Sequence, residues 1–298
     1  MDTRPSAPFG TVLTAVLTPF DEDGAVDYGV FWKLIRHLAD NGSEGVVVTG
    51  TTGESPTLSK PEKIALYKAA VEAAGARMKV IAGTGTYNTA ESVALTEQAA
   101  SVGVHGIMAV TPYYSKPPQA GLVKHFTAIA DASDLPLMVY NIPGRTARLI
   151  EVDTLVELAQ HDKIVATKDA VGDLDFTRRA IAALPEGFAV YSGDDGRTKD
   201  IVEANGVGVV SVASHFVGNQ IKKLIAAVTE QDYDEAKRIQ EKLDPIFEAL
   251  FVEPSPMPLK AGMTALWGNV GQPRLPLVPA SEETTEKVRA AYEIAQDV

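Results

Sequence analysis

The chain has 298 residues, of which 45% are hydrophobic and 22% are charged, values that are ordinary for a folded globular protein. Its 27 Lys and Arg against 39 Asp and Glu give a net charge of −12, which disfavours nucleic acid and anionic membrane surfaces as partners. The absence of cysteine excludes disulfides, thiolate metal sites and cysteine nucleophiles, and it is compatible with a reducing cytosol.

The first ten residues, MDTRPSAPFG, contain no apolar segment of the kind that secretory signals carry. No apolar run approaches the roughly 20 residues that a membrane helix needs. We therefore expect a cytoplasmic protein that does not bind a membrane.

Eight short segments rich in Val and Ile follow one another along the chain. They are 11–20, 45–50, 79–85, 106–112, 137–143, 164–170, 188–194 and 208–214. Their apolar character is nearly continuous, which is typical of strands that are buried on both faces of a sheet. These segments predict a largely parallel sheet.

Helical patterns lie between most of the strands. The first, 31–42, has apolar positions at helical spacing. Segment 59–75 begins with Ser59 and Glu62, which predict a capping box, and Asn88 and Glu91 predict the same box at the start of 88–103. Strand starts recur about every 20–35 residues, the length of a strand–helix unit.

Eight such units predict an α/β fold, a (β/α)8 TIM barrel over residues 1–225. Residues 226–298 are expected to form a C-terminal helical extension, in which 250–262, with its three prolines, is interpreted as an irregular connector. The alternative is a doubly wound open sheet. That fold would favour a Gly-rich dinucleotide motif after the first strand, and TPFDEDG at 18–24 is not one.

Polar residues collect at the predicted carboxyl ends of the strands, where the chemistry of such barrels takes place. Hydroxyl groups predominate and there is one amine. The side chains are Thr18, Thr49, Thr51, Thr52, Thr84, Thr111, Tyr113, Tyr114, Tyr140, Lys168, Ser192 and Ser211.

Lys168 ends the sixth strand, on the same face as Ile164 and Ala166 because side chains alternate. A free lysine is almost fully protonated at neutral pH and cannot attack a carbonyl, but burial in an apolar pocket lowers its pKa. The side chain is thus a candidate nucleophile. The alternative is a lysine that emerges into solvent or pairs with Asp169.

A catalytic metal is disfavoured, because only His215 of the five histidines lies just past a strand end. Asp194 and Asp195 could bind a cation, but neighbours on a strand project to opposite sides. We expect no cofactor and no metal.

The Gly/Thr-rich segment GTTGES (50–55) is predicted to form a turn between a strand and a helix. Its backbone N–H groups could hold a phosphate, but it lacks the lysine of a P-loop. Two threonines also suit a carboxylate, and a merely structural tight turn is the third possibility. Arg145 could grip a second carboxylate with its planar guanidinium, or it could be a surface residue.

Five motifs in order resemble the dihydrodipicolinate synthase family, within the pyruvate-dependent class I aldolase superfamily. They are GTTGES (50–55), TPYY (111–114), YNIPGRT (140–146), KDA (168–170) and SGDD (192–195). The resemblance implies that Lys168 forms a Schiff base with pyruvate, and that the resulting enamine attacks aspartate semialdehyde in lysine and diaminopimelate biosynthesis.

The resemblance also implies roles for the surrounding residues. Thr51, Tyr114 and Tyr140 match the proton relay of the family, with Tyr114 supplied by a neighbouring protomer. This implies at least a dimer, and usually a dimer of dimers. The positions that match substrate-binding residues are Thr52 for the pyruvate carboxylate, Arg145 for the semialdehyde, and Gly193 and Val210 in the pocket wall.

Two other functions remain open. Sialic-acid lyases and sugar-acid aldolases of the superfamily share the lysine and the strand-five tyrosine, but they tend not to carry the arginine of GRT (144–146). A non-catalytic regulator on the same barrel would bind a small carboxylate without turnover, but such proteins often lose the lysine or the tyrosine.

The chain departs from the pattern of family members that lysine inhibits. Those members place His and Asn in a regulatory site, whereas this chain has Pro56, Lys60, Lys63 and Tyr87, while Ser55, Glu91 and Tyr113 match. Two lysines in that cleft would repel the ammonium groups of a lysine effector. We expect weak or absent inhibition by lysine.

Overall fold

The computed structural model describes residues 5–298, in which eight parallel strands pair in chain order and close into a barrel. The strands are β1 (Val12–Ala15), β2 (Gly45–Val48), β3 (Lys79–Gly83), β4 (Gly106–Val110), β5 (Leu137–Asn141), β6 (Ile164–Asp169), β7 (Ala189–Ser192) and β8 (Gly208–Ser211). Each lies within a predicted segment. The pairing of β1 with β8 excludes the open sheet. Residues 1–4, part of the segment on which the expected absence of a secretory signal rests, lie outside the described residues.

Side chains from the strands fill the inside of the barrel, as the apolar pattern of the segments predicts. The cluster on this inner side includes Leu13, Val47, Ile81, Met108, Met138, Tyr140, Ala166, Ala189, Tyr191 and Val210. A second and larger cluster contains the alternate strand residues and the apolar faces of the helices. The strands are therefore buried on both faces.

Twelve α-helices, some very short, surround and extend the barrel in the part of the chain that the structure describes. They are α1 (Tyr28–Asp40), α2 (Lys60–Ala74), α3 (Thr89–Ser101), α4 (Gln119–Asp131), α5 (Pro143–Thr146), α6 (Val152–Leu158), α7 (Leu174–Ala183), α8 (Thr198–Glu203), α9 (Ser214–Thr229), α10 (Tyr233–Ala249), α11 (Met257–Leu266) and α12 (Glu282–Ala295). Between residues 5 and 298, no helix combines the length and the apolar character that a membrane span requires.

The starts of α2 and α3 differ from each other, although the sequence predicts a capping box at both. In α2 the box is confirmed, since Ser59 accepts the N–H of Glu62 and the Glu62 carboxylate accepts the N–H of Ser59. In α3 the prediction of a capping box is wrong. Asn88 caps the helix with its side chain, but its own N–H donates to the Thr86 hydroxyl at 3.0 Å, so Glu91 finds no donor there.

The C-terminal extension is helical, but the predicted connector is too long. Only the stretch from 250 to 256 is irregular, because α11 already begins at Met257. Pro256 is the N-cap of α11 and Pro258 lies in its first turn, where a missing N–H costs nothing, so these prolines begin a helix rather than break one. Helix α9 runs through residue 225, and the division of the chain there stays a prediction.

Candidate active site

Lys168 lies at the carboxyl end of β6, next to Tyr140 of β5 in the strand register. Its side chain is only 6% exposed, and Nζ lies 4.2 Å from the centre of the Tyr140 ring. Asp169 accepts the N–H of Val171 and the hydroxyl of Thr177 instead of pairing with the lysine. The lysine is therefore neither solvated nor neutralised by its neighbour.

Burial lowers the pKa of Lys168 to about 8, since the protein interior disfavours the ammonium form. Two nearby charges act in opposite directions: the Asp195 carboxylate raises this pKa and the Arg145 guanidinium lowers it. Asp195 is itself buried, and one of its oxygens accepts the N–H groups of Val212 and Ala213 at 3.0 Å. Roughly one lysine in ten with such a pKa is neutral at pH 7.

Tyr140 provides a proton donor beside the amine. Burial raises the pKa of its phenol to about 12, while Arg145 and a hydrogen bond with the Thr51 side chain lower it. The phenol is therefore protonated at neutral pH, and Thr51 is its hydrogen-bond partner. Thr51, Tyr140 and Lys168 thus come from three different strand ends, which the closed barrel brings together.

Gly193, just after β7, has no side chain, and the Lys168 side chain occupies the space that a side chain at this position would fill. A Cβ at this position would lie 3.0 Å from Cε of Lys168 and 2.8 Å from Cβ of Ala170. Its N–H donates to the Asp169 carbonyl. A side chain here would push against the lysine, which gives a physical reason for glycine in the SGDD motif.

A cavity of about 170 Å³ opens in front of Tyr140. Thr51, Tyr140 and Arg145 line it, whereas Lys168 is not among the lining residues and lies behind them against the Tyr140 ring. The other lining residues are Thr49, Gly50, Ser55, Pro56, Gly83, Gly85, Met108, Val110, Tyr113, Ile142 and Thr146. The wall is mostly apolar, which suits a site where an amine must lose its proton.

A wider cleft of about 600 Å³ shares Ile142 and Arg145 with this cavity and continues past Gly193 to Phe247 of α10. Arg145 stands where the two spaces meet. Its position, exposed and in the short helix α5, allows its guanidinium to meet an anionic ligand that enters from solvent.

The remaining predicted site residues do not line this cavity. Thr52 is buried in the turn beside Thr51, and Val210 lies in the inner cluster of the barrel. Tyr114 is 92% exposed and has a left-handed backbone with φ of 70°. Within a single chain it does not line the cavity, and its neighbour Tyr113 does.

The sequence interpretation missed a charged cluster behind the GTTGES turn. Glu54 forms an ion pair of 2.7 Å with Lys260 of α11, and both side chains are almost fully buried. The backbone N–H of Arg274 donates to the same carboxylate. The signal was present in two places, as an acidic residue inside a Gly/Thr-rich turn and as a lysine inside an apolar helix.

His215, the histidine nearest a strand end, has both ring nitrogens engaged. Nδ1 pairs with the Val212 carbonyl and Nε2 accepts the N–H of Leu17. Burial lowers its pKa to about 4. Over residues 5–298, no three or more His, Asp or Glu side chains are grouped in a way that could hold a metal ion.

The known proteins that this chain resembles in sequence and those that it resembles in structure belong to the same family. The model of the dihydrodipicolinate synthetase family matches residues 8–295. A 4-hydroxy-tetrahydrodipicolinate synthase from Desulforudis audaxviator is 46% identical over 288 residues, which cover 97% of this chain and 98% of the relative.

Two solved structures superpose closely. The dihydrodipicolinate synthase from Bacillus anthracis has a TM-score of 0.93 at 44% identity, covering 96% of this chain and 98% of that one. The lysine-bound enzyme from Cyanidioschyzon merolae has a TM-score of 0.95 at 43% identity, covering 98% and 100%.

Proposed function

The chain belongs to the dihydrodipicolinate synthetase family, and we propose that Lys168 carries its reaction as a Schiff base. That reaction condenses pyruvate with L-aspartate 4-semialdehyde to 4-hydroxy-tetrahydrodipicolinate in lysine and diaminopimelate biosynthesis. The observation that supports the role of Lys168 is a buried amine, 4.2 Å from a tyrosine ring, with its pKa lowered to about 8.

The proposed reaction begins when the neutral Nζ of Lys168 attacks the ketone carbon of pyruvate. The oxygen of the adduct takes up protons and leaves as water, which gives a protonated imine. This imine withdraws electrons from the neighbouring methyl group, which loses a proton and becomes an enamine carbon. Tyr140 is placed to give and take these protons, with Thr51 as its partner in the relay.

The enamine carbon then forms a bond to the aldehyde carbon of the semialdehyde, whose oxygen becomes a hydroxyl. The amino group of the semialdehyde replaces Lys168 on the imine carbon, which closes the ring and frees the lysine. In our proposal Thr52 holds the pyruvate carboxylate and Arg145 holds the semialdehyde carboxylate, while Gly193 and Val210 shape the pocket. The position of Arg145 between the two cavities supports its role.

The names of the relatives favour this reaction over sialic-acid or sugar-acid cleavage. A homo-oligomer, most simply a dimer of dimers, belongs to the same proposal, since the exposed Tyr114 needs a neighbour to reach an active site. The lack of cysteine is compatible with the cytoplasmic location that we also propose. No cofactor takes part, because the substrate itself forms the covalent imine.

Trapping with borohydride tests the nucleophile. The protein is mixed with pyruvate, reduced and digested, and the adduct is located by mass spectrometry. We expect the adduct on Lys168 and none in Lys168→Met. Lys260 serves as the internal control, because burial lowers its pKa to about 8 as well, yet it pairs with Glu54. An adduct on another residue, or none, would refute the mechanism.

A coupled assay separates the two enzyme functions. Aspartate semialdehyde should support turnover with pyruvate, and N-acetylneuraminate should not be cleaved. The reverse result would assign the chain to the lyases of the superfamily.

A further inference from the structure

The GTTGES turn contains a backbone conformation that requires support. Glu54 adopts a left-handed conformation with φ of 55°, and the residue just before the turn, Thr49, does so with φ of 56°. Non-glycine residues hold such conformations only where the surroundings fix them. For Thr49 the support is local, since its hydroxyl lies 2.9 Å from the Tyr67 hydroxyl and donates to the Gly83 carbonyl.

Glu54 is held from outside the barrel. Its side chain points into a closed space in which one oxygen accepts the N–H of Arg274 at 2.8 Å and the other lies 2.7 Å from Nζ of Lys260. Lys260 also donates to the Gln272 carbonyl and lies 4.0 Å over the Phe20 ring. The partners of Glu54 therefore both belong to the C-terminal extension.

Arg274 connects this cluster to the segment that follows the turn and leads into α2. Its guanidinium donates to the carbonyls of Gly24 and Thr57 and pairs with Glu62 in the first turn of α2. It packs over the face of Phe20 at 4.3 Å. The extension thus contacts the turn at Glu54 and, two residues past its end, the carbonyl of Thr57.

A buried ion pair is a poor way to gain stability, because the charges lose their hydration and apolar residues of the same size often serve as well. The ion pair does, however, fix the orientation of the Glu54 side chain. The N–H of Glu54 donates to the Thr51 carbonyl at 3.0 Å, and the N–H of Ser55 donates to the Gly50 carbonyl at 3.2 Å. Any displacement of Glu54 is therefore transmitted to Thr51, which lines the cavity.

We propose that Lys260, acting through Glu54, is a positioning residue that sets the GTTGES turn for the carboxylate of pyruvate. Neither side chain lines the cavity, so the effect is indirect. The inference rests on the proposed function, in which Thr52, the neighbour of Thr51 in the turn, holds that carboxylate.

The test compares Lys260→Met with the wild-type protein. We expect the KM for pyruvate to rise at least tenfold, since a shift of about 1 Å can cost roughly 10²-fold. The KM for the semialdehyde should stay within about twofold, because Arg145 lies on other elements. Lys260→Arg, which keeps the cation, should recover most of the pyruvate affinity.

The control is Leu38→Ala, a cavity in the core of α1 away from the turn, which lowers Tm without a change in KM. If Lys260→Met lowers Tm but leaves the KM for pyruvate unchanged, the residue is only structural and the proposal fails. If Lys260→Met does not fold, Glu54→Gln/Lys260→Met, which buries no lone charge, carries the same test with the same expected rise in KM. Failure of the proposed function would appear separately, as a wild-type protein that gives no adduct on Lys168.

Discussion

Lys168 and Lys260 are both buried, and burial lowers the pKa of each to about 8. Their surroundings differ in what faces the amine. Nζ of Lys260 pairs with a carboxylate, whereas Nζ of Lys168 meets the ring of Tyr140 beside a cavity. A lowered pKa thus makes an amine available, but only an unpaired amine beside a substrate-sized space can react with a ketone.

The rate of imine formation at Lys168 should follow the protonation of this amine. Because the pKa is lowered from 10.5 to about 8, the reactive neutral form appears as the pH rises through 8. We expect the rate to rise about tenfold per pH unit below pH 7 and to level off above about pH 9. Stopped-flow trapping with pyruvate across this range measures it. A midpoint near the ordinary lysine value would contradict the prediction.

The Arg145→Leu variant tests how Arg145 affects the pKa of Lys168 and the binding of the semialdehyde. The guanidinium lowers the pKa of Lys168, so its removal should move the midpoint to higher pH. The KM for the semialdehyde should rise about tenfold or more, since a hydrogen bond to a charged group contributes roughly 1.5–3 kcal/mol. Arg178→Leu, on the exposed side of α7, should change neither quantity.

Helices α2 and α3 bring together the residues that the sequence related to lysine inhibition. Lys63 of α2 is 8% exposed, and burial lowers the pKa of its ammonium group, while the Glu91 carboxylate of α3 acts in the opposite direction and raises it. The rings of Tyr87 and Tyr113 meet edge to face at 5.1 Å. The Lys63 ammonium therefore already interacts electrostatically with Glu91, the carboxylate to which the ammonium group of a lysine effector would bind.

We expect lysine to inhibit this enzyme weakly or not at all. A steady-state assay with about 1 mM lysine should lose less than half its rate, which corresponds to a binding free energy weaker than roughly 4 kcal/mol. Lys63→Asn should increase the sensitivity, because it frees Glu91. Lys68→Asn, on the exposed face of the same helix, should not. Strong inhibition at submillimolar lysine would refute the prediction.

The elements that the sequence predicted correctly are those with a local pattern. The eight strands follow from continuous apolar runs, and the alternation along β6 places Lys168 on the inner face with Ala166. The start of α11 was missed because its prolines resemble a loop when their position in a helix is unknown. The pairing of Glu54 with Lys260 was missed because no periodicity links residues so distant in the chain.

At the scale of the whole molecule, the site of one chain is short of a residue that the family resemblance assigns to it. Tyr114 is exposed and does not line the cavity, whereas Lys168, Tyr140 and Thr51 meet within the chain. If Tyr114 serves a neighbouring protomer, two inactive variants should restore each other.

Co-expression of Lys168→Ala and Tyr114→Phe with different tags tests this directly. Each homo-oligomer should be inactive or slowed about 10²-fold or more, through loss of the nucleophile or of the relay. The purified heterodimer should regain about half of the wild-type rate, because one of its two sites then has both residues. A heterodimer as inactive as its parents would mean that Tyr114 acts within its own chain or not at all.

The contact between Glu54 and the N–H of Arg274 spans 220 residues. At the usual pace of protein synthesis, Arg274 follows Glu54 out of the ribosome after roughly 10–40 s. For most of that interval α11 has not yet been synthesised, so neither Lys260 nor Arg274 can hold the Glu54 carboxylate. The strands can pair before then. Because Lys260 positions the turn in our proposal, the pyruvate site gains its final shape only as one of the last events of folding. A ribosome-bound barrel can therefore have all its strands paired and still be unable to bind pyruvate in the proposed way.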